Sequence, residues 1–377
     1  MKFKANAKAL AATLAAIMPT VERRNTIPIL NNIALTVDGG EVTIEATNLD
    51  MWTSIAMEAD CESDGQVTVP GQIFYSMVRN LNAADGDSLT FEVMDDQNAR
   101  VQFKKSRYKI ATLPFRDFPR PGPIDYPTSF ILTAEDAATL FKSCAIAMSN
   151  EETRYYLNGI YLCAQPIKNL ADGRDRLAAV ATNGHQLAAA GVDLPDGAAG
   201  MEGVIVPRAA VGIIVGLLNG DAETIPIRVC NQRIEFEIGR VTLTSKLVDG
   251  TYPDFERVMP AKGTAPVILD TDQIRTTSKS LAGFINGTAA IAIDIEGDQA
   301  RFSGRDNNTG NEAEDTVRVD YQGDPIRIGF NVKYVAEYFG AIGTDTTDMH
   351  LSGDQSPALF IPHGRDDVQF VLMPMRV

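Results

Sequence analysis

The side chains best suited to chemistry are few and far apart in this 377-residue chain. There are three histidines, His185, His350 and His363, and four cysteines, Cys61, Cys144, Cys163 and Cys230. No CxxC and no Cys–His pair at ligand spacing occurs, which argues against a zinc site. The cysteines read instead as reduced, mostly buried thiols. Carboxylates are plentiful, and Asp366-Asp367 or Glu312 with Glu314 could in principle hold a metal. Their spacing fits a turn and a solvated strand face better. No GxSxG, HExxH or GxxxxGKS motif is present, nor a GxGxxG that opens a helix. A carboxylate-dependent hydrolase is therefore the weaker reading, and no catalytic residue, metal or cofactor is expected.

What the sequence does contain is repetition. Val67-Thr68-Val69-Pro70 precedes Ile73, Met77 and Leu81; Val204-Ile205-Val206-Pro207 precedes Val211, Val215 and Leu218. Ile326-Arg327-Ile328-Gly329-Phe330-Asn331 precedes Tyr334 and Tyr338. Each is a short β run ending at a helix-start residue, Pro or Asn, with apolar residues then recurring at helical spacing. A capped amphipathic helix opens each unit. Asn6 precedes Leu10, Leu14 and Ile17; Thr133 with Asp136 precedes Leu140, Cys144 and Met148; Asp270-Thr271 precedes Ile274, Leu281 and Ile285. A closing strand ends each unit, at Ile110–Pro114, Leu243–Leu247 and Val371–Pro374. Alternating strands with Gly, Asn or Asp turns lie between, as at Asp38-Gly39-Gly40.

The pattern predicts an α+β chain of three tandem domains, 1–127, 128–262 and 263–377, with linkers at Pro119–Pro123 and Pro260–Gly263. The period far exceeds the roughly 20–50 residues of solenoid repeats. No apolar run is long enough for a membrane span, and Lys8 interrupts the Ala-rich N-terminal stretch. That stretch reads as a helix of a mature cytoplasmic protein. The net charge is −15. Such a balance argues against nucleic acid at first sight. DNA responds to the local potential within roughly 10 Å, however, so an acidic exterior can coexist with a basic inner surface. The predicted helices carry one or two cations each: Lys8, Arg79, Lys142, Arg208, Arg275, Lys279 and Lys333. Any one alone reads as part of a solvated helix face.

Five runs are more distinctive. They are Arg154-Tyr155-Tyr156-Leu157-Asn158-Gly159, Ala181-Thr182-Asn183-Gly184-His185, Ser245–Gly250 with Tyr252-Pro253-Asp254-Phe255, Ile328–Val332, and Met373-Pro374-Met375-Arg376-Val377. Together they closely resemble the bacterial sliding clamps, the beta subunits of DNA polymerase III, over the whole chain and in the same order. The resemblance implies a head-to-tail homodimeric ring with helices lining a pore and antiparallel sheets outside. It implies a processivity factor that encircles duplex DNA without reading its sequence. The partners implied are the polymerase III alpha subunit, the clamp loader delta subunit, other DNA polymerases and repair proteins. A protein-only interaction scaffold shares these features apart from DNA.

The resemblance also assigns residues. It points to Arg24, Arg154, Tyr155 and Tyr156 as DNA contacts, which join the cations of the predicted helices, Arg79, Lys142, Arg208, Arg275, Lys279 and Lys333. Tyr155 and Tyr156 supply rings on which an exposed base could stack. A partner-peptide pocket is walled by Arg154, Tyr156, Leu157, Thr182, Gly184, His185, Gln186, Leu187, Pro253, Val258, Asn331, Val371, Met373, Pro374 and Met375. Arg257, Arg376 and Val377 hold the peptide's polar ends. Methionines suit varied partners. The subunit seam is assigned to Tyr108 and Ile110 on the first domain, against Leu281 and Phe284 of the third. Two positions depart from the family pattern. Glu151 replaces a polar uncharged residue three positions before Arg154, and Gln186 stands where Arg is common.

Overall fold

A computed structural model describes residues 1–22, 26–170, 174–263, 265–285, 290–306 and 308–377. It divides into two compact units, Met1–Thr133 with Gly216–Leu247, and Ala134–Val215 with Val248–Val377. Six α-helices lie among the described residues: α1 (Ala7–Ile17), α2 (Gly71–Arg79), α3 (Ala134–Ala145), α4 (Arg208–Leu217), α5 (Thr271–Phe284) and α6 (Val332–Ala341). No described helix is long and apolar enough to cross a membrane.

The capping residues act as the spacing predicts. The Asn6 side chain accepts from Ala9 N, Asp270 from Gln273 N, and Asn331 from Lys333 N. The buried stripes differ from expectation at α2. Ile73 is 64% exposed, and Gly71, Phe74 and Val78 face the core instead. Pro70 stands at the N-cap, and the face that packs is set by Phe74, which meets Phe91. On α6 the buried stripe is Val332, Val335, Tyr338 and Phe339; Tyr334 is half-buried.

Among the described residues all strand pairing is antiparallel. The first unit holds a five-stranded sheet whose edge strand is Ser106–Ala111, and an eight-stranded sheet. Phe3 stacks on Phe91 in its core, with ring centroids 5.2 Å apart, and Phe74 meets Phe91 edge-on. The second unit holds a twelve-stranded sheet. Three of the cysteines are buried and Cys61 is half-buried; all are free thiols. The Asp38-Gly39-Gly40-Glu41 hairpin is a two-residue turn in which both glycines take positive φ, 60° and 96°.

One turn occurs twice, atom for atom. Thr47 Oγ1 donates to Met51 O (2.8 Å) and accepts from Leu49 N (3.0 Å). Thr182 Oγ1 donates to Gln186 O (2.6 Å) and accepts from Gly184 N (3.1 Å). Asn48 Oδ1 accepts from the N–H groups of Asp50 and Met51, as Asn183 Oδ1 does from His185 and Gln186. The third turn residue takes φ 75° in Leu49 and 88° in Gly184. Each turn launches a strand that pairs with the closing strand of the next repeat. Met51–Glu58 pairs with Val241–Lys246, and Gln186–Asp193 with Val368–Leu372. The ladder is extended identically: Lys246 N donates to Asp50 O at 2.8 Å, and Met373 N to His185 O at 3.0 Å. Sheets are thereby sewn together across repeat boundaries.

A left-handed conformation costs a leucine about 1–2 kcal/mol, and Leu49 is 38% exposed, so its burial offsets only part of that cost. Leu49→Gly is expected to raise unfolding free energy by about 0.5–1 kcal/mol. Asn48→Ala, which orphans two N–H groups, should lower it by about 1–2 kcal/mol. Urea denaturation of the two variants checks both signs.

Candidate functional site

The second copy of the turn rims an apolar cavity of about 290 Å³. Four segments wall it. The 3₁₀ turn Tyr155–Leu157 and the residue before it supply Arg154, Tyr156 and Leu157. The repeated turn and its strand supply Thr182, Gly184, Gln186 and Leu187. Pro253, Asp254, Phe255 and Val258 come from the 3₁₀ turn at Phe255–Val258, and Val371 and Met373 from the end of the closing strand. The walls are continuous with a buried cluster that includes Tyr252, Leu359 and Ile361. Tyr252 is stacked face to face on Tyr161 at 4.8 Å, and burial pushes its hydroxyl far above the usual phenol range. Full burial of an apolar anchor in such a cavity stabilises a ligand by roughly 1.5–3 kcal/mol.

Arg154 lies flat along the rim. Its Nε and Nη2 donate to Glu151 Oε2 and Oε1 at 2.9 and 2.6 Å, and Nη2 also donates to Asn183 O at 3.2 Å. The Arg154 guanidinium holds the Glu151 carboxyl below the ordinary carboxylate range. Gly184 is favoured here on two counts. Its φ is positive, and a Cβ would sit 2.7 Å from Arg154 Nη1. Gln186 is 3% exposed and its Nε2 donates to Ile146 O at 2.9 Å.

Several expected pocket residues stand elsewhere. His185 is exposed at the turn, and it is its carbonyl that serves the ladder. Arg257 is exposed and binds Asp254 at 2.7 Å. Asn331 caps α6. The tail turns away from the cavity after Met373. Met375 N donates to Gly329 O at 2.8 Å, and a Cβ on Gly329 would collide with Met375 O and Val377. Arg376 and Val377 line a different, open cleft of about 760 Å³, beside Arg305, Glu314 and Arg327. Pro374 through Val377 therefore do not wall the cavity, because backbone pairing with Gly329 directs them along the Ile326–Asn331 strand. Asp254 and Phe255 do wall it. Their presence in the Tyr252–Phe255 run was the available signal.

Of the expected DNA contacts, Arg24 lies outside the described residues. Arg79 and Lys279 are exposed, and Lys142 is half-buried. Arg208 donates to the carbonyls of Met148 and Ser149 at 3.0 and 3.2 Å. Arg275 pairs with Asp272 and Lys333 with Glu337, at 2.8 and 3.8 Å. Lys8 pairs with Asp85. Tyr155 is 53% exposed and meets Tyr156 edge-on. Of the expected seam residues, Tyr108 and Phe284 are exposed, but Ile110 and Leu281 are 7% and 4% exposed. Those two pack in their own cores, which removes them as groups for a second subunit to cover.

Tandem domains sewn strand to strand, with an apolar cavity at the start of one such seam, give the architecture of the DNA-clamp class. Family models confirm it in three consecutive parts. Residues 1–121 match the N-terminal domain of the DNA polymerase III beta subunit, 132–254 its central domain and 256–376 its C-terminal domain. The beta sliding clamp of Caulobacter vibrioides is 34% identical over the full length of both chains, and that of Pseudomonas putida 32%. The crystal structure of a sliding clamp from Bartonella birtlesii bound to griselimycin superposes with a TM-score of 0.93 at 33% identity, covering all of both chains. A Caulobacter crescentus clamp superposes at 0.89 with 34% identity, again over both whole chains. The chain belongs to the DNA polymerase III beta subunit family, the beta sliding clamps.

The role of Gly329 is testable. Gly329→Ala is expected to lift the tail and speed amide exchange at Met375 by more than about tenfold. Exchange at Leu187 in the cavity wall should change far less. Mass-spectrometric hydrogen exchange on both peptides checks this.

Proposed function

We propose that the chain acts as a ring-shaped homodimer that encircles duplex DNA and tethers the replicative polymerase to it. It is a processivity factor and not an enzyme. One observation carries the ring. In the first two repeats, the strand after the repeated turn pairs with the closing strand of the following repeat. The corresponding strand of the third repeat is Glu312–Asp320. Among the described residues its Glu312–Arg318 portion pairs on one side only, with Gln299–Arg305. The closing strand of the first repeat, Ser106–Ala111, is a sheet edge. Each copy of the chain thus has one unmet donor strand and one unmet acceptor strand. Two copies joined head to tail satisfy both, and such a join covers these two strands, each of which alone would be an aggregation hazard. The charges agree: Arg107 and Lys109 with Lys104 and Lys105 on one edge, Glu312, Glu314 and Asp315 on the other. Tyr108 and Phe284 are the exposed apolar groups available to that seam.

A closed ring holds DNA by topology. Its contacts need only be sparse and directed at phosphates, because tight or base-specific ones would stop it sliding. Arg79, Lys142, Arg154, Arg208, Arg275, Lys279 and Lys333, with Arg24, Tyr155 and Tyr156, are the side chains proposed for this. Local ion pairs of the kind seen at Arg275 and Lys333 keep those contacts weak. The cavity beside Gly184 is the proposed dock for peptide segments of the polymerase III alpha subunit, the clamp loader delta subunit, other DNA polymerases and repair proteins. Domain boundaries near 127 and 262 and a cytoplasmic location complete the reading.

The test is retention on DNA. Protein loaded on nicked circular DNA by a clamp loader is expected to stay through gel filtration and to be released when the circle is linearised. Equal retention on circular and linear DNA would favour ordinary binding and contradict the ring.

A further inference from the structure

The charged groups at the mouth of the cavity are already committed to one another. Arg154 is the cation among its walls and Asp254 the anion. Glu151 engages Arg154 through two parallel hydrogen bonds of 2.9 and 2.6 Å, the strongest geometry an arginine–carboxylate pair adopts. The Arg154 side chain cannot swing freely, since Nη2 is also tied to Asn183 O and Nη1 lies against Gly184. Asp254 is held by Arg257 Nε. The other polar walls, Thr182 and Gln186, carry no charge. An acidic side chain entering the cavity therefore finds no unpaired cation, and finds the Glu151 carboxylate close to the one cation it could use. To bind Arg154 it must displace Glu151.

We propose that Glu151 is a specificity-determining residue of the peptide pocket: by claiming the Arg154 guanidinium, it makes the site select uncharged over acidic peptides. Glu151 does not wall the cavity and acts through Arg154, so it is a positioning residue. The inference rests on the cavity being the partner-peptide pocket. The pair is partly solvated, with side chains 35% and 46% exposed, which keeps the expected effect modest.

The probes are acetylated, amidated pentapeptides of Leu and Phe with Asn or Asp at one position, each position in turn. They are titrated calorimetrically into the full-length protein and into Glu151→Gln. At the position nearest Arg154, the wild type is expected to favour Asn. Glu151→Gln should raise the Asp-to-Asn affinity ratio by about two- to fivefold, a gain that shrinks as salt is added. A purely structural role for Glu151 would move both peptides together and leave the ratio unchanged. An unchanged ratio, or a wild type that already favours Asp, overturns the inference and leaves the pocket reading intact. Val258→Glu places a charge on the exposed wall of the cavity. Binding that persists in that variant, or no binding by any peptide to the wild type, removes the pocket reading and this inference together.

Discussion

Antiparallel pairing across repeat boundaries leaves each repeat dependent on its neighbour. The closing strand of one repeat lies beside the inner strand of the repeat before it, through ladders at Val241–Ser245 and at Val368–Leu372. An unpaired strand edge exposes a row of N–H and C=O groups that will pair with whatever strand arrives. The chain meets that demand twice internally and, among the described residues, leaves it unmet at Ser106–Ala111 and at Glu312–Arg318. Everything proposed about assembly descends from this imbalance: the second copy, the head-to-tail sense of the join, and the closed path around DNA.

The same seams explain why a cavity forms at one and not in the same way at the other. At the first seam the turn carries Leu49 and Asp50, followed by Met51 and Trp52. Asp50 holds Lys246, and Arg233 and Lys246 approach the Trp52 ring at 5.3 and 6.0 Å. The result is a polar, cation-covered surface. At the second seam the equivalent positions are Gly184, His185, Gln186 and Leu187, and Met373 replaces Lys246. The glycine removes a side chain from the rim, and the methionine and leucine line an apolar hollow. One backbone device, repeated, gives a bare joint in one place and an apolar cavity in the other.

Much of this was legible in the sequence because it was local. Asn6, Asp270 and Asn331 announced their helices by capping chemistry, and the three strand-to-helix junctions marked the repeats. The cavity walls were largely legible through runs such as Thr182–His185. What escaped was set by long-range pairing. The apolar residues Met375 and Val377 gave no sign that Gly329, far back in the chain, would draw the tail away from the cavity. The family resemblance pointed to Ile110 and Leu281 at the seam, yet each is largely buried in its own chain. Ile73 failed because the adjacent Phe74, which packs edge-on against Phe91, sets the buried face of α2. Glu151 stood out as unusual, but its hold on Arg154 depended on loop geometry that spacing does not encode.

The central claim is that a second copy satisfies the two open strand edges. The mass in solution tests it most directly. Sedimentation equilibrium is expected to show a particle of two chains, twice the 40.8 kDa of one, persisting on dilution well below micromolar concentration. A single chain at micromolar concentration, with the edge strands Ser106–Ala111 and Glu312–Asp320 open to exchange, would contradict the account.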